Sequence, residues 1–112
     1  MTMEIQDADS VTVFTPIGRL DSNSSAGAEK QVAERIGAGA KRIVFDFSRL
    51  DYVSSAGLRV ILMAAKQLRP LGGKLAICCM NAQIRDVFEM SGLLSLLVIC
   101  DSRDAATSSV AG

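Results

Sequence analysis

The chain of 112 residues contains no histidine. That absence removes the commonest general base, the partner of Ser-His and Cys-His nucleophiles, and the usual ligand of catalytic zinc. Aromatic side chains are few (Phe14, Phe45, Phe47, Tyr52 and Phe88), so a platform for stacking bases is not expected. Twelve basic residues balance twelve acidic ones, and no Lys/Arg run occurs. A nucleic-acid partner held by a basic surface is therefore not expected either. No apolar run reaches membrane-spanning length. The opening segment Met1–Asp7 is polar and acidic, unlike a signal peptide. These features predict a cytoplasmic protein. Glycine-rich phosphate cradles are also missing: after Gly37 and Gly39, position 42 is Arg, which breaks any dinucleotide fingerprint.

Cysteine is scarce, with Cys78, Cys79 and Cys100 only. Adjacent Cys78 and Cys79 lack the usual metal or redox spacing. On a strand they would face opposite sides of the sheet. All three read as reduced packing residues, so neither a metal nor a cofactor is expected.

What is present is an apolar half, 49% of the chain, enough for one domain over residues 1–112. Its core should lie at about residues 4–107, with a tail, 108–112, that frays. Ile5 and the alternating run Val11–Ile17 read as a hairpin turning at Asp7-Ala8-Asp9-Ser10. The N-cap types in Asp21–Ser25 predict a helix over Ser25–Ile36, with Ala28, Val32 and Ile36 on its buried face. Ile43–Phe47 reads as a central strand, Ser48–Ser54 as a loop, and Ser55–Leu68 as a second helix. Leu58, Ile61, Leu62, Ala65 and Leu68 give that helix its stripe. Lys74–Cys79 is the next strand, Ala82–Met90 a short helix, and Leu96–Ile99 a last strand before a short helix over Arg103–Thr107. Strands alternating with helices predict an α/β fold: a mixed, mostly parallel sheet of four to five strands with helices packed on it.

In such sheets, ligands and switches collect beyond the carboxyl ends of the strands. Two segments end there: Gly18-Arg19-Leu20-Asp21-Ser22 and Asp51-Tyr52-Val53-Ser54-Ser55-Ala56-Gly57-Leu58. Ser54 and Ser55 stand where loop becomes helix. Free backbone N–H groups and the positive end of the helix dipole favour a phosphate at such a place. Gly57 is expected to leave the first turn open to an approaching kinase. Residue chemistry alone leaves two readings of Ser55, a plain N-cap or a functional serine. Asp21 likewise reads as a cap or a charge at a helix start, and Ser91-Gly92 as a helix stop. A serine nucleophile would need a base, and nothing places Lys66 or Lys74 beside Ser55, so an enzyme is not expected.

The segment Asp46–Val60 resembles the signature of the STAS domain family, and more narrowly the anti-sigma factor antagonists. Gly18-Arg19-Leu20-Asp21 is similar to the family's Gly-x-Leu-Asp. Leu71–Leu75 is similar to its turn before the fourth strand, and Phe88–Leu93 to the end of its third helix. The family's switch reads Asp-Ser-Ser/Thr-Gly-Leu. Aligned on Gly57-Leu58, the phosphorylated serine falls on Ser55, the family's Asp on Ser54, and its second hydroxyl residue on Ala56.

The resemblance implies a switch in which the unphosphorylated antagonist binds an anti-sigma factor, often a GHKL-type serine kinase, and releases a sigma factor. It implies phosphorylation at Ser55, with Ser54 as backup, and removal of the phosphate by a PP2C-type phosphatase. The expected contact surface is the start of the second helix, the Gly18–Ser24 loop and the neighbouring Ser48–Val53 loop, with Asp21, Ser22, Ser54, Ser55, Ala56, Gly57 and Arg59 as its residues. Arg59 pairs with the phosphate or the partner, or is a solvated surface arginine. The free protein is expected to be a monomer. The alternative is a STAS scaffold that is never phosphorylated, or a module that senses a small ligand or nucleotide.

Overall fold

The computed structural model describes residues 2–111. Its elements run β1 (Thr2–Ala8), β2 (Val11–Leu20), α1 (Ser25–Gly37), β3 (Arg42–Asp46), β4 (Leu50–Val53), α2 (Ser55–Leu68), β5 (Lys74–Cys78), α3 (Ala82–Met90), β6 (Val98–Cys100) and α4 (Arg103–Ala111). Six strands form the sheet in the order β1-β2-β3-β5-β6, with β4 added beside β2. Among the described residues, only the β1–β2 hairpin is antiparallel; the other pairings are parallel. The mixed, mostly parallel α/β architecture expected from the sequence is what the chain adopts.

The segment expected to be a loop at Ser48–Ser54 instead contains β4. Four residues with Leu50 and Val53 buried and Asp51 and Tyr52 exposed carry no period-two signal. The cause is a bulge. Gly18 opposes Leu50 and Arg19 opposes Tyr52, which leaves Asp51 as the extra residue. β2 reaches both neighbours by changing partner along its length. Thr12–Phe14 pair with β3, and Gly18–Leu20 pair with β4. Pro16, which has no N–H to donate, stands in the gap between.

The core has two layers. Phe14, Phe45, Phe47 and Ile77 pack under α1, α2 and α3, while Val11, Val13, Val44, Ala76 and Cys78 pack under α4. Phe14, Phe45, Phe47 and Phe88 form a chain with centroids 5.4, 6.2 and 6.1 Å apart, which joins β2 to α3. The α2 stripe is rotated from the expected one. Gly57, Val60 and Ala64 are buried with Leu58, Ile61 and Leu68, whereas Leu62 and Ala65 are only half-buried. α2 meets α1 as well as the sheet, so its buried arc is wider than one stripe.

The C-terminal residues expected to fray continue α4 to Ala111, because Val110 is fully buried against the sheet with Ala106. The last strand begins later than expected, after a 3-10 turn at Leu93–Ser95 that leaves Leu96 exposed. Cys79 lies just past β5 with φ of 64°, so strand alternation does not apply to it. No helix among the described residues is long and apolar enough to cross a membrane.

Candidate functional site

The site grows from the parallel ends of β2 and β4. Leu20 stands opposite Val53 in the ladder, so Asp21 and Ser54 leave adjacent strands side by side. The Ser54 N–H donates to the Leu20 carbonyl at 2.9 Å, which joins the two exits.

Ser54 is the N-cap of α2. Its backbone is extended, and its hydroxyl accepts the Gly57 N–H at 3.4 Å. The first intrahelical bond runs from Leu58 N–H to the Ser54 carbonyl at 2.9 Å. Ser55 is thus the first helical residue. It is exposed, at the positive end of the helix dipole.

Ala56 is half-buried, and Gly57 is buried. The reason expected for this glycine, an open first turn, is corrected by the packing. A β-carbon there would stand 2.5 Å from the Leu20 carbonyl oxygen and 2.7 Å from Val53 Cγ2. Gly57 lets α2 seat directly on the ends of β2 and β4. Arg59 lies on the exposed face, four residues beyond Ser55, and takes part in no ion pair among the described residues.

The β2–α1 turn is held by its own polar groups. Asp21 Oδ1 accepts the Asn23 N–H at 3.0 Å, and its carbonyl accepts the Ser25 N–H at 2.9 Å. The Ser24 hydroxyl donates to the Arg19 carbonyl at 2.8 Å and accepts the Asp21 N–H at 3.0 Å. The Asn23 amide holds the Asp21 carboxyl below its ordinary range; burial opposes this, and the Ser24 amide and Arg19 add to it. Asp21 therefore presents a charged carboxylate beside Ser22, which is exposed.

Arg19 and Tyr52 lie in the two loops expected to form the contact surface, but nothing in the sequence shows that they pair. The Arg19 guanidinium lies 4.2 Å over the Tyr52 ring, with Nε 3.5 Å from Asp21 Oδ2. The signal was hidden because the pairing depends on β4 and its bulge. Next to Tyr52, a groove lined by Val53, Gln83, Ile84 and Val87 opens between β4 and α3. Lys66 stands in the last turn of α2, and Lys74 at the amino end of β5, so the fold brings neither to the start of α2.

An exposed serine on a capped helix start, beside a rigid acidic turn, can carry a phosphate and present it to another protein. A model of the STAS domain matches residues 2–106. The chain belongs to the STAS domain family. BtrV of Bordetella bronchiseptica, a candidate anti-sigma factor antagonist, is 39% identical over 108 residues, covering 96% of this chain and 93% of BtrV. A crystal structure of a candidate anti-sigma factor antagonist from Thermotoga maritima superposes with a TM-score of 0.92 at 22% identity, covering 96% of this chain and 93% of that one. The phosphorylated form of the Bacillus cell fate determinant SpoIIAA superposes with a TM-score of 0.76 at 22% identity, over 97% of this chain and 99% of that one.

Proposed function

We propose that this STAS domain is an anti-sigma factor antagonist whose docking is switched at Ser55. In the unphosphorylated form, the start of α2 and the Asp21–Ser22 turn bind an anti-sigma factor of the GHKL-type serine-kinase class, and a sigma factor is released. The kinase phosphorylates Ser55, and a PP2C-type phosphatase restores the hydroxyl. The protein acts as a binding partner rather than an enzyme. It works in the cytoplasm and is monomeric when free.

The observation that carries this reading is the division of labour between neighbouring serines. Ser54 turns its hydroxyl to the Gly57 N–H as a cap, while Ser55 is exposed. Phosphorylation adds roughly −1.5 to −2 charges at neutral pH. Against a closely packed partner, that charge brings desolvation cost and steric bulk, and an acidic partner patch would add repulsion. A loss of about 3–4 kcal/mol would lower affinity by roughly two to three orders of magnitude. The sequence resemblance to BtrV supports the partner class.

The test is to incubate the protein with ATP and its anti-sigma kinase and to map the phosphate by mass spectrometry. Label on Ser55 is expected. Label on Ser54 or elsewhere would overturn the assignment.

A further inference from the structure

A second cluster of reactive groups lies on the α4 side of the sheet, away from the helix start. Asp46 closes β3, Cys78 closes β5, and Cys79 follows at once. One carboxylate oxygen and the two sulfurs all lie within 4.8 Å of one another. Consecutive strand residues would point apart. Cys79 does not, because its left-handed backbone, φ 64°, turns its thiol back beside that of Cys78. We propose that Asp46, Cys78 and Cys79 bind one thiophilic divalent cation of the zinc and cadmium class.

The donor set fits that class, since thiolates select soft and borderline cations over magnesium or calcium. Metal bonds of about 2.3 Å to sulfur and about 2.0–2.2 Å to oxygen set tetrahedral ligands roughly 3.4–3.8 Å apart. The cluster reaches this by side-chain closure of roughly an ångström. The carboxylate is already oriented. Its Oδ1 accepts the Ser48 N–H at 2.9 Å, and its Oδ2 accepts Arg103 Nε at 2.9 Å. Partners of this kind fix metal-ligating carboxylates, and each oxygen keeps a lone pair for the ion. Two thiolates and a carboxylate around a divalent ion leave one negative charge, which the Arg103 guanidinium offsets. Cys78 is fully buried and forms the inner ligand, while half-buried Cys79 lies on the path of entry. Cys100 pairs with Cys78 across the β5–β6 ladder but does not belong to the cluster.

The experiment titrates the reduced full chain with Cd²⁺ alone and follows the ultraviolet sulfur-to-cadmium charge-transfer band. One ion per chain is expected, with half-buried Cys79 becoming protected from alkylation on cadmium binding and Cys100 still reactive. Cys79→Ser should lose the band and bind more than about tenfold more weakly, while Cys100→Ser should keep both. Circular dichroism reports whether Cys79→Ser is folded; if it is not, the alkylation pattern of the wild-type chain decides. No band in the wild-type chain, a full band in folded Cys79→Ser, or protection that includes Cys100 but not Cys79 would overturn the site.

Discussion

The Leu20 carbonyl oxygen lies 2.5 Å from where a β-carbon on residue 57 would stand, so the first turn of α2 rests on the last residue of β2. That oxygen cannot swing aside, because it accepts the Ser54 N–H at 2.9 Å. Alanine in place of Gly57 would gain about 1 kcal/mol of helix propensity. Overlap with fixed backbone outweighs this gain. Gly57→Ala should therefore lower stability by about 1–3 kcal/mol, read as a lower urea midpoint at unchanged slope. A variant as stable as the wild type would show that α2 can lift off β2 freely.

The two serines at the helix start should separate in stability. Ser54 caps α2, so Ser54→Ala should cost about 1 kcal/mol. Ser55 makes no side-chain hydrogen bond among those described and is exposed, so Ser55→Ala should stay within about 0.5 kcal/mol of the wild type. Urea unfolding of both variants checks this. Equal losses would mean that the cap is shared.

Charge at residue 55 should move stability and binding in opposite directions. A carboxylate in the first helical turn interacts favourably with the helix dipole, worth about 0.3–1 kcal/mol at low salt. Ser55→Asp should thus be at least as stable as the wild type, yet bind the anti-sigma partner far more weakly than Ser55→Ala does. Calorimetric titration and urea unfolding on the same samples decide it. Equal affinities for the two variants would remove the charge switch while leaving the fold assignment untouched.

Much of this arrangement is legible in the chain because helix signals are long and local. The bounds of α2 and α3 follow from their caps and stops: Ser54 and Asn81 accept the Gly57 and Ile84 N–H groups. Ser55 could be placed at a helix start for the same reason. What escaped depends on contacts distant in sequence. β4 is four residues long and bulged, so its pattern is set by β2 rather than by its own period. Arg19 and Tyr52 meet only because of that pairing. The last turn of α4 is fixed by Val110 packing against β2, β3 and β5 residues, which no local propensity encodes. The turn at Cys79 places a non-glycine residue at positive φ, against the local preference that strand reading relies on.

Arg103 ties α4 to the sheet through the nearly buried Asp46 carboxylate, and it also donates to Thr15 Oγ1 at 2.9 Å. Burial alone would raise the Asp46 pKa, but the Ser48 amide and hydroxyl together with Arg103 outweigh it and hold the carboxyl below its ordinary value. A carboxyl depressed in the folded state contributes stability above its unfolded value, about 3.9, and loses that contribution as pH falls through the lower folded value. Arg103→Met removes one charged partner of Asp46. Because the arginine side chain is 41% exposed, solvent moderates the cost to about 1–2 kcal/mol at neutral pH. The deficit should be smaller at about pH 3, where the unfolded carboxyl is mostly protonated, than at neutral pH, and should go on shrinking as pH falls through the lower folded value. Urea unfolding of wild type and variant at both pH values measures it. A deficit that stays constant across that range would assign the role of Arg103 to its aliphatic stem and its bond to Thr15, and not to the charge on Asp46.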